Sequence, residues 1–327
     1  MEEDDDGYMT EDFEEGGFED VNDEPRFGEN VNHSLADTEH SFDSAYVLGA
    51  ALYRDHVFHC VRRADGVPHV VKVFRRPVGP AGHPGAMEQR ERVRTARELD
   101  VMRALTPRPD LFVELRGVFI TAGRVSVVTR EYAEDLHALY ERRWVPGFSD
   151  AEVRTVAARL LTALAYLHDV LGVVHRDVKP LNVFLAVAGD VSTAVLGDVG
   201  HSRSLATGEL ASTTGCTLGT SPFRPPEFVF TMQPHGRPVD LFQLGVSLYL
   251  LVVGCGPHRV ADVAAVFARH AYFSRAASAA WDAAAAAGGA AGAARAACVR
   301  RMMAMDPADR GTAAENLSDP WVAGAVA

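Results

Sequence analysis

The first half of the chain alternates apolar and polar residues in short segments, a pattern typical of β-strands with one exposed face. Turns at 65–66 and 122–123 each separate two such segments and predict hairpins. Between the hairpins, apolar residues three to four positions apart predict a helix over 88–105. The pattern therefore predicts a small sheet with one inserted helix. The predicted strands are 45–51, 57–62, 67–74, 112–120 and 125–132.

From residue 149 onward the apolar spacing is that of helices. Ser149-Asp150-Ala151-Glu152 has the form of a capping box, and it begins a helix whose apolar residues recur every three to four positions. A second apolar helix is predicted over 239–253. The Ala- and Gly-rich residues 276–298 are predicted to combine a helix with a low-complexity loop. The second half is therefore predicted to be mainly helical.

Residues 1–43 have no apolar periodicity and contain 17 Asp and Glu against one Arg, a net charge of −16. Since the whole chain carries −12, residues 44–327 carry +4. This composition predicts a disordered acidic tail. The tail is either a solvated segment or a docking or autoregulatory arm, with Thr10, Ser34 and Ser41 as candidate phosphorylation sites. A net of +4 without interleaved aromatic residues disfavours nucleic-acid binding.

The composition is that of a folded protein, with 47% apolar and 23% charged residues in 327. The longest apolar run, Leu241–Val253, is shorter than the roughly 20 residues that cross a membrane. The N-terminus is acidic where a signal peptide is basic and then apolar, and the four cysteines form no CxxC pair. We therefore expect an intracellular protein that does not span a membrane.

The basic residues are strongly biased towards arginine. Of 32 basic residues, 30 are Arg and two are Lys, namely Lys72 and Lys179. Such a bias indicates that Arg replaces Lys wherever the two side chains are interchangeable. Because an ammonium is compact and a guanidinium is planar, the two remaining lysines are candidates for a chemical role.

A cluster of polar residues lies at the junction of the two halves, in the segment VVHRDVKPLNVFL over 173–185. A strand–turn–strand follows, turns at residues 189–190 and leads to Asp198 in the segment LGDVG. We expect this hairpin to bring Asp177 and Asn182 to Asp198. Two carboxylates and an amide oxygen form a ligand set that suits Mg²⁺.

HRDVKPLN followed by DVG resembles the catalytic loop and the metal-binding motif of eukaryotic-type protein kinases. The resemblance implies an α+β, bilobal kinase fold over 44–323. A small antiparallel β-sheet N-lobe with one helix would span about 44–132, and a larger, mainly helical C-lobe about 133–323. The other matching motifs are HVVK ending at Lys72, ELDVMRAL beginning at Glu98, GTSPFRPPE ending at Glu227, VDLFQLG containing Asp240, and Asp306-Pro307 with Arg310. GTSPFRPPE resembles the end of an activation segment, and the resemblance implies that Arg310 pairs with Glu227.

The resemblance implies a serine/threonine kinase that transfers the γ-phosphate of ATP to protein hydroxyls with the help of Mg²⁺. Lys72 would bind the α- and β-phosphates, and Glu98 would hold Lys72 as an ion pair. Asp177 would accept the proton of the attacking hydroxyl, and Lys179 would neutralise the γ-phosphate. The metal ligands would be Asn182 and Asp198.

The implied nucleotide site departs from the family pattern in its Gly-rich loop. Over 48–57 the chain keeps one of three glycines and has one extra residue before Val57. Asp55 would bring a negative charge near the phosphates, with Arg54 as a compensating cation. We expect weaker nucleotide affinity or a repositioned loop. The residues implied to line the nucleotide are Leu48, Gly49, Ala50, Ala51, Val57, Val70, Lys72, Glu131, Asp135 and Phe184, with Thr129 at the back of the adenine pocket and Asp135 at the ribose.

Several alternatives stay open on the sequence. Glu98 could pair with Arg94 on a solvated helix face, with Glu91 as the rival partner of Lys72. The degraded loop allows a pseudokinase that binds nucleotide or acts as a scaffold. A small-molecule phosphotransferase is disfavoured by Asp240 and Arg310, which resemble residues of peptide-substrate kinases.

Two finer features complete the resemblance. Arg176 beside Asp177 implies control by a phosphorylated activation segment, with Thr214 and Thr217 as candidate sites. The acidic leader, the degraded Gly-rich loop and the Arg and Ala bias are similar to kinases of large DNA viruses, herpesviruses among them. The sequence leaves the protein substrates, the activator and the oligomeric state open.

Overall fold

The structure is a computed structural model, and it describes residues 41–53, 56–75, 86–121, 123–143, 147–205, 223–229, 235–253 and 275–324. The predicted acidic tail over 1–40 lies outside these residues, as do Arg54, Asp55, Thr214 and Thr217. No helix within the described ranges is both long enough and apolar enough to span a membrane.

An antiparallel sheet of five strands forms the N-terminal lobe, in the order β1-β2-β3-β5-β4. One long helix, α2 (Ala86–Leu105), connects β3 to β4, as the apolar spacing predicts. The strands are β1 (Tyr46–Tyr53), β2 (Val57–Arg62), β3 (Pro68–Arg75), β4 (Leu115–Ile120) and β5 (Arg124–Arg130).

Each face of this sheet has its own apolar cluster. On one face, Leu99 of α2 packs with Val118 and Val127 of the sheet. On the other face, Val71 and Val128 pack beneath aromatic residues. Helix α2 thus covers the face from which Lys72 projects, because Lys72 stands directly opposite Val127 in the β3–β5 register.

The outer face is closed by a short helix, α1 (Phe42–Ala45), which the sequence assigned to the tail in part. Phe42 is 1% exposed and stacks on Tyr46 at 5.4 Å between ring centroids. Its ring also meets Phe119 edge-on at 5.8 Å. The predicted boundary at residue 44 is therefore too late, because the packed structure already includes Phe42.

Seven helices are described in the C-terminal part: α3 (Leu136–Arg142), α4 (Asp150–Ala165), α5 (Pro226–Val229), α6 (Pro238–Val253), α7 (Arg275–Ala287), α8 (Gly289–Met302) and α9 (Ala313–Leu317). Helix α4 begins with the predicted capping box, in which Ser149 and Glu152 exchange side-chain and backbone hydrogen bonds. Helix α6 is buried along most of its length and packs against α4, α7 and α8. The C-terminal lobe is mainly helical around this central helix.

Short strands line the junction between the lobes. They are β6 (Glu134–Asp135), β7 (Val173–Val174), β8 (Val183–Leu185), β9 (Ala194–Leu196) and β10 (Arg203–Ser204). They form one sheet in the order β6-β8-β9 and a second pair, β10-β7. The predicted strand–turn–strand is thus present as the antiparallel pair of β8 and β9.

Two sequence-based assignments are wrong in part. The predicted strand over 112–120 begins only at Leu115, and Phe112 instead forms a parallel bridge to Leu196 of β9. The predicted low-complexity loop within 276–298 is helical apart from a turn at Gly288. Alanine has the highest helix propensity, so a run of Ala forms helix once Trp281, which is 3% exposed, fixes it against the core.

Candidate active site

The β8–β9 hairpin brings together residues that are distant along the chain. Val183 pairs with Leu196, and the Gly197 N–H donates to the Asn182 carbonyl oxygen at 2.8 Å. Asn182 and Asp198 therefore flank the same end of the hairpin, where the sequence predicts them to meet. The Asn182 side chain also reaches Asp177, donating from Nδ2 to its carbonyl oxygen at 2.8 Å and to Oδ2 at 2.9 Å.

Lys72 links the two lobes through two carboxylates. Its Nζ lies 2.7 Å from Glu98 Oε1 on α2 and 3.3 Å from Asp198 Oδ1. Of the two glutamates considered on the sequence, it is Glu98 that makes this contact. Arg94, the alternative partner of Glu98, donates from Nε to the Gly200 carbonyl oxygen at 3.4 Å.

The charges in this group stabilise one another. Burial alone would lower the pKa of Lys72, but the carboxylates of Glu98 and Asp198 raise it above its ordinary value. Burial alone would raise the pKa of Asp198, but Lys72, His201 and His175 bring it down to about 2. Lys72 is therefore an ammonium and Asp198 a carboxylate at neutral pH.

Gly200 lies at the close approach of α2 to the segment after Asp198. A Cβ at position 200 would lie 3.0 Å from Glu98 Oε2 and 3.3 Å from Asp198 Oδ1. A side chain there would require these carboxylates to shift by a few tenths of an ångström. The glycine of the DVG segment thus has a packing reason in this chain.

Asp177 is 2% exposed and carries the second ion pair of the cleft, with Lys179 Nζ 2.8 Å from its Oδ2. Burial by itself would raise the pKa of Asp177, but the charge and hydrogen bond of Lys179 lower it below its ordinary value. The carboxylate is therefore ionised at neutral pH and accepts hydrogen bonds. It is suited to orienting a hydroxyl more than to removing its proton in the ground state.

Helix α6 holds the loop that contains Asp177. Asp240 is fully buried, and its two oxygens accept from the backbone N–H groups of His175 at 2.8 Å and Arg176 at 2.7 Å. His168 Nε2 lies 2.8 Å from Asp240 Oδ2. Gln243, one turn further along α6, also contacts this loop. The sequence identified Asp240 through its motif, but no local signal identified Gln243.

Two non-glycine residues of the site have left-handed backbone conformations, Arg176 with φ 68° and Asp198 with φ 53°. Such conformations cost of order 1–3 kcal/mol and persist where the surroundings hold them. Arg176 is held through its N–H by Asp240 and through its side chain, which donates to the His201 carbonyl oxygen at 2.6 Å. The two strained backbone conformations thus occur at charged residues of the site, next to and within the predicted catalytic groups.

The pairing of β1 with β2 is irregular in the Gly-rich segment, with register shifts between Leu48 and Ala51 and between Ala51 and Tyr53. Leu48 pairs with Cys60 and Ala51 pairs with Phe58, so three steps along β1 match two along β2. Gly49 and Ala50 lie in this bulge, and β1 is exposed from Val47 to Tyr53. The expectation of weaker nucleotide affinity or a repositioned loop stays a prediction, since residues 54–55 of this segment lie outside the described ranges.

The register also decides which residues face the cleft. Val57 stands opposite Lys72 and His59 opposite Val70, so all four point to one face. Leu48 is a correction, because it stands opposite Cys60, which packs in the outer cluster with Val71. His59 was not predicted on the sequence, and its Nδ1 lies 3.1 Å from Glu131 Oε1 in the segment after β5.

Phe184 and Tyr132 contribute aromatic rings beside the β8–β9 hairpin. The Phe184 ring lies 6.0 Å from the Tyr132 ring and packs tightly against Gly197, where a Cβ would lie 2.8 Å from it. Thr129 lies opposite Val70 in the register, and its place at the back of the adenine pocket stays a prediction. Asp135 caps α3, because its Oδ1 accepts from the Ala138 N–H at 2.8 Å. One of its oxygens is thus already used by the helix.

The donor set is compatible with a magnesium ion. Because Asn182 uses its Nδ2 to hold Asp177, its Oδ1 is the atom that could bind a cation, together with a carboxylate oxygen of Asp198. Among the described residues, no three His, Cys, Asp or Glu side chains gather into a metal cage. Mg²⁺ prefers few protein ligands together with phosphate oxygens, so Asn182 and Asp198 fit it.

The last two kinase-like motifs meet deep in the C-terminal lobe. Arg310 is fully buried and donates to both carboxylate oxygens of Glu227, at 2.8 and 2.6 Å. It also donates to the carbonyl oxygen of Pro238 at 3.2 Å, at the start of α6. This is the pairing that the resemblance implied. It ties the end of the activation segment to the helix that holds the catalytic loop.

Comparison with known proteins agrees with these motifs. The chain is 27% identical over 230 residues to a probable myosin light chain kinase of Dictyostelium discoideum, covering 70% of this chain and 61% of that protein. It is 27% identical over 289 residues to a calcium/calmodulin-dependent protein kinase of Emericella nidulans, covering 86% of this chain and 65% of that protein. The chain thus spans less than two thirds of the length of either relative.

A family model covers the greater part of the chain. The model of the protein kinase domain matches residues 54–322, and this range contains the Lys72–Glu98 pair, the catalytic loop and the Glu227–Arg310 pair. The chain belongs to the protein kinase domain family.

Proposed function

We propose that the protein is a serine/threonine kinase that transfers the γ-phosphate of ATP to protein hydroxyls. The observation that carries the proposal is the position of Lys72 between Glu98 and Asp198, at 2.7 and 3.3 Å. Phosphoryl transfer depends mostly on positioning and on charge neutralisation. The cleft has the cation, the anion and the oriented carboxylate that these tasks need.

Each charged residue has a separate task in this proposal. Lys72 binds the phosphates of the nucleotide, and Glu98 restricts its side chain to one position. Asp177 orients the attacking hydroxyl and accepts its proton as the phosphoryl group is transferred. Lys179, 2.8 Å from Asp177, neutralises the charge on the transferred group.

Asn182 and Asp198 hold magnesium in this proposal. A bound ion would supply positive charge that offsets the charge of the phosphates. The low pKa of Asp198, about 2, keeps its carboxylate ionised and ready to bind a cation. The hydrogen bond from Asn182 Nδ2 to Asp177 orients the amide so that its oxygen, Oδ1, faces away from Asp177.

The preference for serine and threonine has two supports. Lys179 follows the catalytic Asp177 by two residues, which resembles the serine/threonine branch of the family. The two relatives are named as a probable myosin light chain kinase and as a calcium/calmodulin-dependent protein kinase. The proposal names the substrates only by class, as proteins with serine or threonine hydroxyls.

The second candidate function is a pseudokinase, and the bulged β1 favours it. Gly49 and Ala50 lie in the bulge, and β1 lacks the glycines whose N–H groups would approach phosphates. We favour the active enzyme because Lys72, Glu98, Asp177, Asn182 and Asp198 are all present and in contact.

The test is phosphate transfer from labelled ATP with Mg²⁺ to the protein itself and to a basic protein substrate. Asp177→Asn should abolish transfer, since an amide cannot accept the proton, and should retain nucleotide binding. Asp282→Asn, at an exposed ion pair with Arg300, is the matched control and should transfer normally. Nucleotide binding without transfer by the wild-type protein would favour the pseudokinase.

A further inference from the structure

Gln243 of α6 contacts the two peptide groups on either side of Asp177. Its Nε2 donates to the Arg176 carbonyl oxygen at 2.9 Å, and its Oε1 accepts from the Val178 N–H at 2.9 Å. The side chain is fully buried. One amide thus holds the backbone before and after the residue that we propose as the proton acceptor.

The loop needs such partners because residues 175–178 belong to no helix or strand. Buried backbone groups outside regular structure must find other partners. Asp240 accepts from the N–H groups of His175 and Arg176, and Gln243 pairs with the Arg176 carbonyl oxygen and the Val178 N–H. The Asp177 N–H between them donates to His175 Nδ1 at 3.2 Å. Because Asp240 and Gln243 are three residues apart, they lie on one face of α6. That face determines the path of the loop.

The chemistry of this contact is specific to an amide. A carboxylate accepts only, an apolar side chain does neither, and an amide donates and accepts at the same time. Arg176, whose carbonyl is one of the two partners, also has a left-handed φ of 68°. Its peptide orientation is therefore one that the chain adopts only when it is held.

We propose that Gln243 is a positioning residue for phosphoryl transfer, which it serves by fixing the orientation of the Asp177 carboxylate. The inference rests on the kinase activity proposed above. Gln243 bonds to the catalytic loop and acts on the reaction through that loop. Its loss should therefore lower kcat and leave nucleotide binding nearly unchanged.

The first test is Gln243→Met, which keeps an unbranched side chain of similar length and removes both hydrogen bonds. We expect kcat to fall on the order of 10²-fold, as for small misplacements of catalytic groups. KM for ATP should change by less than about threefold. A wild-type kcat in this variant would overturn the proposal.

The matched control is Ser247→Ala, one turn further along the same buried helix. Ser247 is 1% exposed and donates to the Gln243 carbonyl oxygen at 2.8 Å. The Ser247→Ala variant should have a lower melting temperature than the wild-type protein and an unchanged kcat. If both variants lowered kcat and melting temperature in parallel, Gln243 would be structural only, and the proposal would be wrong.

The second test is Gln243→Glu, whose carboxyl group resembles the amide when it is protonated. Burial favours the protonated form of this carboxyl group, and so does the negative charge of Asp240 on the same helix. The other titratable or charged groups are Arg176, which bonds to Gln243, and His168 and His175, which bond to Asp240. We expect the kcat of this variant, relative to wild type, to rise as the pH falls from about 8 to about 6. The ratio for Gln243→Met should stay flat. A flat ratio for Gln243→Glu would contradict the proposal.

Hydrogen exchange provides a readout that needs no catalysis. In Gln243→Met, the Val178 amide should exchange at least about tenfold faster, because its acceptor is gone. The Arg176 amide, held by Asp240, should keep its protection. If the wild-type protein transferred no phosphate, the proposed function would fail, and this measurement would still decide whether Gln243 holds the loop around Asp177. Unchanged protection of Val178 would refute it.

Discussion

Both lysines of this arginine-rich chain contact carboxylates in the cleft. Lys72 lies against Glu98 and Asp198, and Lys179 lies 2.8 Å from Asp177. At such positions a small ammonium can approach several oxygens in different directions, whereas a planar guanidinium presents a fixed fork. The residue bias in the sequence therefore points to the same cleft as the motifs.

The first prediction concerns Lys72→Arg. We expect phosphate transfer to fall by on the order of 10²-fold or more, because the larger guanidinium cannot lie between Glu98 and Asp198 in the same geometry. The melting temperature should change little, since Lys72 faces the open cleft with 30% of its side chain exposed. Arg300→Lys, at an exposed ion pair, is the control. Full activity of Lys72→Arg would refute the requirement for an ammonium.

At the scale of elements, buried ion pairs connect segments that are distant in sequence. Arg310, in the turn Pro307–Arg310, joins Glu227 of α5 and the carbonyl oxygen of Pro238 at the start of α6. Its side chain also lies over the Phe242 ring, 4.9 Å from the centroid. The end of the activation segment is thus attached to the helix that supports the catalytic loop.

Arg310→Met should destabilise the fold by about 3–5 kcal/mol, since it leaves the Glu227 carboxylate buried without its partner. Adding Glu227→Gln to that variant should restore part of the stability, because no charge then remains. Urea unfolding of the two variants measures both effects. A loss below about 1 kcal/mol for Arg310→Met would contradict this account of the pair.

The short helix α1 attaches the end of the acidic segment to the sheet. Phe42 packs on Tyr46 and Phe119, and Arg124 lies 5.5 Å over the Phe42 ring. Arg124 also lies 3.5 Å from an Asp43 oxygen. We expect removal of residues 1–40 to leave the melting temperature unchanged.

Phe42→Ala in the same shortened protein should cost about 3–5 kcal/mol, because it empties a space in a closed aromatic cluster. Thermal unfolding of the two proteins distinguishes the tail from the packed domain. A large loss of stability on removing residues 1–40 would show that the acidic segment belongs to the fold.

At the scale of the whole molecule, burial of neutral histidine makes stability depend on pH. Burial, together with the charges of Arg176 and Arg203, lowers the pKa of His235 from 6.5 to about 4. The unfolded chain binds a proton at this residue below about pH 6.5, while the folded protein does not until about pH 4. Stability is therefore fully present above pH 6.5 and is lost as the pH falls towards 4.

The expected slope from His235 is at most about 1.4 kcal/mol per pH unit within that window. Asp198 contributes in a different window, because its pKa of about 2 lies below 3.8 and its stabilisation is lost only as the pH falls through those values. His235→Gln should make the curve of unfolding free energy less steep between about pH 4 and 6.5, while His201, whose pKa is also lowered by burial to about 4, still contributes in that window. An identical slope in this variant would exclude His235 as the cause.

The sequence by itself was sufficient for the family, for most elements and for the charged residues of the cleft. These features depend on residues that are close together in the sequence. Examples are a capping box, an amphipathic period and the spacing from Asp177 to Asn182. The α+β, bilobal class is confirmed by the sheet, the helices and the family match. The likeness to viral kinases stays a prediction.

The tertiary structure decided the contacts that depend on pairing between distant segments. The β1–β2 register places Leu48 opposite Cys60 of the outer face, and the β2–β3 register places His59 opposite Val70 on the cleft face. A shift of one residue in either register would exchange the two faces. Gln243 meets Val178 across 65 residues of chain. Residue type and spacing determined which chemistry is available. Long-range packing decided which backbone groups lack partners and which side chains reach them.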